Sequence, residues 1–122
     1  MHELSLLIIA PLVALGFMMK RTGQISIPEA RKQLNEGALV IDVRSPAEFH
    51  SGHLPAALNL PLDEIESTLP QRVQDKNQVL LLHCQSGMRS GLALRKLKAL
   101  GYTRVFNLGS YPRAQAILKP PP

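Results

Sequence analysis

Apolar and polar positions recur along this chain with two alternating periods, and the first twenty residues follow neither. From Leu4 to Met19 the chain reads LSLLIIAPLVALGFMM, sixteen residues without a charge, and it stops at Lys20-Arg21. As a helix this stretch is about 24 Å long, short of the roughly 30 Å hydrocarbon core of a bilayer. Pro11 is tolerated in a membrane helix and costly in a water-soluble one. A cleaved signal peptide wants a basic start and a small-x-small cleavage site, and the ends here are M-H-E and G-F-M-M-K-R. A buried core helix shows polar residues at helical spacing, and none appear here. Residues 1–21 are therefore read as an N-terminal hydrophobic helix forming a single-pass membrane anchor. The basic pair then places the following domain on the cytoplasmic side. Soluble and exported forms are the alternatives.

From Thr22 onward, residues 22–122 carry the pattern of one domain. Ile25 to Ile27 reads as a short extended piece, with Pro28 suited to the first turn of a helix over Glu29 to Glu36 that Gly37 stops. Ala38 to Val43 and Val79 to His83 are continuous apolar runs, typical of strands buried on both faces. Ser45-Pro46 opens a helical turn through Phe49, Ala57 to Leu60 is a brief strand, and Leu62 to Leu69 a helix. Leu92, Leu97 and Leu100, with Ala93 and Ala99, predict an amphipathic helix from Met88 to Leu100. Val105 to Leu108 is a last strand and Tyr111 to Leu118 a last helix. Strands separated by helices imply an α/β fold with a mostly parallel central sheet and helices on both faces.

The composition narrows the function. With 122 residues there is room for one ordinary domain. The formal charge is +5, of which the domain keeps +4 once Glu3, Lys20 and Arg21 are set aside. These charges are scattered and the chain has no Trp, two Tyr and three Phe, so a nucleic-acid partner is not expected. A single Cys excludes an internal disulfide and a multi-cysteine zinc site. His50 and His53 lack further ligands nearby in sequence, so neither a metal nor another cofactor is expected.

In parallel α/β sheets ligands bind at the carboxyl ends of strands. There the chain reads H-C-Q-S-G-M-R-S, residues 83 to 90, leading from a buried strand into a helix. A loop of this kind directs successive backbone N–H groups at one point, which favours an anion. Cys84 stands at that point. A free thiol with a pKa of about 8.5 is only a few per cent ionised at neutral pH, so the loop must lower that value for Cys84 to act as a nucleophile. A helix dipole alone supplies about 0.3–1 kcal/mol, less than one pKa unit, and the loop amides must add the rest.

The chain from about Ile25 to Leu118 resembles a single-domain rhodanese. The resemblance lies in I-D-V-R-S-P-A-E-F-H-S-G-H-L-P-A-A-L-N-L-P, residues 41 to 61, and in C-Q-S-G-M-R-S followed by L-G-Y-T-R-V-F-N-L-G. It implies a rhodanese-like fold and a sulfurtransferase that moves a sulfane sulfur from a donor such as thiosulfate to cyanide or a thiol. Cys84 would carry that sulfur as a persulfide, cradled by the loop of Gln85, Ser86, Gly87, Met88, Arg89 and Ser90. No second Cys is present to resolve the persulfide, so the acceptor is external, with a protein thiol among the candidates. Rhodanese-like cysteine phosphatases place one more residue between the Cys and the Arg, and the shorter loop here argues against that chemistry. A membrane-tethered binding module without turnover is the remaining alternative.

Asp42, Arg44, Glu48 and His53 match the resemblance and are read as structural support, with Arg44 and Glu48 also spaced for an i, i+4 ion pair. Arg89 either orients an anionic donor or braces the loop through a carboxylate. The loop has no other cation, which weakens the case for thiosulfate. G-S-Y-P-R-A, residues 109 to 114, departs from the family's usual glycines and Trp, so an unusual pocket rim is expected.

Overall fold

The computed structural model describes residues 22–119, so the hydrophobic segment expected over residues 1–21 lies outside the described residues. Among the described residues no helix is long and apolar enough to cross a membrane. The elements in chain order are α1 (Ile27–Asn35), β1 (Leu39–Asp42), α2 (Pro46–Ser51), β2 (Ala57–Asn59), a 3-10 turn (Leu62–Glu64), α3 (Ile65–Arg72), β3 (Leu80–His83), α4 (Met88–Ala99), β4 (Val105–Gly109) and α5 (Tyr111–Leu118).

The four strands form one parallel sheet in the order β2-β1-β3-β4. Strand alternation divides the core between its faces. Ile41, Leu80 and Leu82 pack with Ile65 and Leu69 of α3 and Ala93, Leu94 and Leu97 of α4. Val40 and Leu81 point the other way, into a cluster with Ala30 of α1 and Ala114 and Ile117 of α5. Helices thus cover both faces, as the continuous apolar runs required.

Three expectations need adjustment. The extended piece expected from Ile25 to Ile27 ends at Ser26: Gln24 makes an isolated parallel bridge with Asn107, and Ile27 already begins α1. The Ser26 side chain accepts from the Glu29 backbone N–H and Pro28 sits in the first turn, so capping decides the start. The expected helix from Leu62 to Leu69 divides into the 3-10 turn and α3, which continues past Pro70 to Arg72. Burial of Ile65, Leu69 and Val73 at every fourth position carries the helix through the missing amide. In α4 the inward stripe is Ser90, Ala93, Leu94 and Leu97, while Ala99 is exposed and Leu100 is 37% exposed. The helix phase is set at its first turn, where Ser90 is held inward by Asn107.

The topology also locates the site. From β1 the chain crosses to β2 on one side, and from β3 it crosses to β4 on the other. The carboxyl ends of β1 and β3, paired as Asp42 with His83, therefore flank the point where the connections diverge. Such a switch point leaves a crevice for a ligand.

Candidate functional site

Cys84 follows His83 directly at the end of β3, and the loop turns into α4 at Gly87, whose φ of 97° is the left-handed conformation that glycine adopts without strain. This turn aims the Gly87 N–H at Cys84 Sγ, 2.9 Å away, with the Ser90 hydroxyl 3.5 Å from the same sulfur. Burial pushes the thiol pKa up. The Ser90 hydroxyl and the backbone N–H groups of Ser90, Gly87 and Ser86 outweigh it, and the net direction is down. The sequence expectation of an amide cradle thus has its geometry. Cys84 is 0% exposed, whereas Gln85 and Ser86 beside it are exposed.

The other wall of the loop is the segment before α5. Ser86 bridges Ser110, the Cys84 N–H donates to Gly109 O at 3.3 Å, and the Tyr111 N–H donates to Gln85 O at 3.2 Å. The departure noted at residues 109 to 114 therefore does form the rim. Tyr111 packs edge-on to His83 and beneath the Arg44 guanidinium, 4.7 Å from its ring centre.

The support residues pair differently from their spacing. Arg44 and Glu48 do not form the i, i+4 pair. Arg44 turns back on the buried Asp42 carboxylate, with Nε 3.0 Å from both oxygens and Nη2 2.7 Å from Oδ2, and Nη2 also reaches Gly52 O at 2.7 Å. Asn59 ties this turn down by donating to the carbonyls of Asp42 and Arg44. Glu48 instead takes Arg89 bidentately, at 2.7 and 2.9 Å, while completing a capping box with Ser45 at the start of α2. Of the two readings of Arg89, the structure shows the brace. His53 stacks on Phe49 at 3.8 Å and bonds Phe49 O through Nδ1, a structural position away from the sulfur. Met88 is half-buried at the first position of α4.

Arg89 and Ser45 hold the Glu48 carboxyl well below its ordinary value of 4.5, at about 2. A depressed folded-state pKa contributes stability that is present above the unfolded value and lost as pH falls through the folded one. The stability difference between the protein and Glu48→Gln in urea titrations is accordingly expected to shrink as pH drops from 4.5 toward about 2. A difference constant over that window contradicts the clasp.

Two buried polar residues escaped the sequence reading. Asn107, on β4, accepts from the Ser90 hydroxyl at 2.7 Å and from the Gly109 N–H at 2.8 Å, and donates to Gly87 O at 3.2 Å, so it fixes the α4 end of the loop. Asn107 lies opposite Leu82 in regular register, and the one-residue shift that follows it brings Gly109 opposite His83. A polar residue between Phe106 and Leu108 in the last strand was the available signal. His83 lies behind the loop with Nε2 3.7 Å from Asp42 Oδ2, and among the described residues that nitrogen has no hydrogen-bond partner. Burial pushes the His83 pKa down. Among the described residues no group of three His, Cys, Asp or Glu is placed to hold a metal ion.

Comparison with known proteins agrees with this architecture. Residues 26–115 match the Rhodanese-like domain family. Thiosulfate sulfurtransferase PspE of Escherichia coli is 39% identical over 69 residues, covering 57% of this chain and 66% of that protein. Thiosulfate:glutathione sulfurtransferase of Homo sapiens is 35% identical over 101 residues, covering 71% and 88%. With two further bacterial relatives the matches span 55% and 66% of the relatives' lengths. Among solved structures, a human single-domain sulfurtransferase superposes with a TM-score of 0.67 at 34% identity, over 77% of this chain and 96% of that one. With the Cys84 loop at the end of β3 and the family match spanning all but a few residues of the described domain, this chain belongs to the rhodanese-like family.

Proposed function

We propose that this protein is a sulfurtransferase that carries a sulfane sulfur on Cys84. The observation that carries the reading is the hydrogen-bond set on Cys84 Sγ, which lowers the thiol pKa against full burial. The sulfurtransferase names of the relatives support it. The Cys84 thiolate attacks the outer sulfur of a donor such as thiosulfate, the donor S–S bond breaks, and sulfite leaves with the electron pair. The loop amides of residues 85 to 90 then face the terminal sulfur, as preorganised donors face an oxyanion. A second nucleophile, cyanide or a small or protein thiol, takes that sulfur and regenerates the thiolate.

Initial rates of thiocyanate formation from thiosulfate and cyanide test this order of events. Parallel double-reciprocal lines are expected, because donor product leaves before acceptor binds. Intersecting lines contradict a covalent intermediate, and no turnover with any sulfane donor favours the binding-module reading.

Residues 1–21 are proposed as the membrane anchor, on the strength of the uncharged stretch from Leu4 to Met19 and the Lys20-Arg21 stop. Retention of the full chain in alkali-washed membranes is expected, and its recovery in the soluble fraction without detergent contradicts the anchor.

A further inference from the structure

Among the described residues, the two arginines that meet the Cys84 loop are both engaged. Arg89, the loop's own cation, has Nη1 and Nη2 on the two oxygens of Glu48. Arg44 is held by Asp42 and Gly52. Arg89 also lines a cleft of about 190 Å³ whose wall includes Ser45, Leu62, Asp63 and Glu64. Asp63 and Glu64 are exposed, and among the described residues neither pairs with a cation. A dianion approaching the loop finds both arginines neutralised and two unpaired carboxylates on the wall of the cleft that Arg89 lines, with backbone dipoles as the remaining attraction.

We propose that Glu48 sets the donor preference of the site: by neutralising Arg89 it makes the loop favour persulfides of low net charge, above all those bearing an ammonium group, over dianions such as thiosulfate. This rests on the sulfur-transfer reading and names its donor class. With such a donor, R–S–SH, the thiolate attacks the outer sulfur and the donor S–S bond breaks. R–S⁻ leaves with the electron pair and takes a proton from water, and Cys84 retains the S–SH group. The ammonium group sits toward Asp63 and Glu64. A thiosulfate dianion finds no free guanidinium to offset its charge, so it loads the same sulfur more slowly.

Glu48→Gln separates charge from scaffold, because glutamine also completes a capping box while Arg89 is released. The test measures the rate at which the purified full chain gains one sulfur on Cys84 from thiosulfate and from cysteamine persulfide. In Glu48→Gln the ratio of the thiosulfate rate to the cysteamine persulfide rate is expected to rise about tenfold, the order of one charge freed at a partly solvated anion site. Asp63→Asn/Glu64→Gln, which alters exposed side chains only, is expected to raise the ratio several-fold, and it decides the matter if Glu48→Gln does not fold. A ratio unchanged in the folded variants overturns charge selection and leaves sulfur transfer standing. Absence of sulfur gain from either donor overturns the sulfur-transfer reading itself.

Discussion

Replacing Cys84 by serine is expected to reduce thiocyanate formation to the uncatalysed background while leaving the domain folded. Oxygen for sulfur is a nearly isosteric change at a site that is 0% exposed, and the Gly87 N–H keeps an acceptor. The cost to stability is therefore about 1 kcal/mol or less, as for other volume-conserving core changes. The chemistry is lost altogether. A serine hydroxyl is not appreciably ionised near neutrality and forms no persulfide, and the sequence contains no other Cys to substitute for it. Assay of the folded variant checks this, with a urea titration as the control. Residual turnover well above background contradicts Cys84 as the sulfur carrier.

Asp42→Ala is expected to destabilise the domain by about 3–5 kcal/mol, a large share of the roughly 5–15 kcal/mol that holds a domain folded. Asp42 is 0% exposed and Arg44 is 5% exposed, so removing the carboxylate strands a guanidinium that water does not reach. The Arg44 backbone N–H also loses its acceptor, Asp42 Oδ1, at 2.9 Å. The damage extends to the loop, because Arg44 lies over Tyr111 and reaches toward Gln85 Oε1 at 3.5 Å. Urea unfolding measures the effect. A loss below about 1 kcal/mol, the range of an exposed pair, contradicts the buried-pair account.

The legible and illegible parts of this molecule divide along physical lines. The runs around Val40 to Asp42 and Leu80 to His83 were readable because a strand buried on both faces has no polar position to break the run. The place of Cys84 followed from those strands, since topology puts binding loops at their carboxyl ends. Pairing was harder to read. Arg44 has two carboxylates within four residues, and spacing pointed to Glu48, yet the turn after β1 folds it onto Asp42. Glu48 and Arg89, 41 residues apart in sequence, meet only because β1 and β3 are neighbours. Asn107 acts through partners 17 and 20 residues away, Ser90 and Gly87, which no local pattern encodes. The phase of α4 misled for a related reason: Leu100 continues the apolar pattern, but the helix is oriented from its first turn, where Ser90 meets Asn107 and Gly87.

The central claim is that Cys84 carries the sulfur, and intact mass reads it most directly. The full chain is incubated with thiosulfate, or with glutathione persulfide as a second donor, and weighed before and after cyanide. The account predicts a gain of one sulfur atom, located on Cys84, absent in Cys84→Ser and removed by cyanide. A folded protein that gains no sulfur from either donor contradicts it.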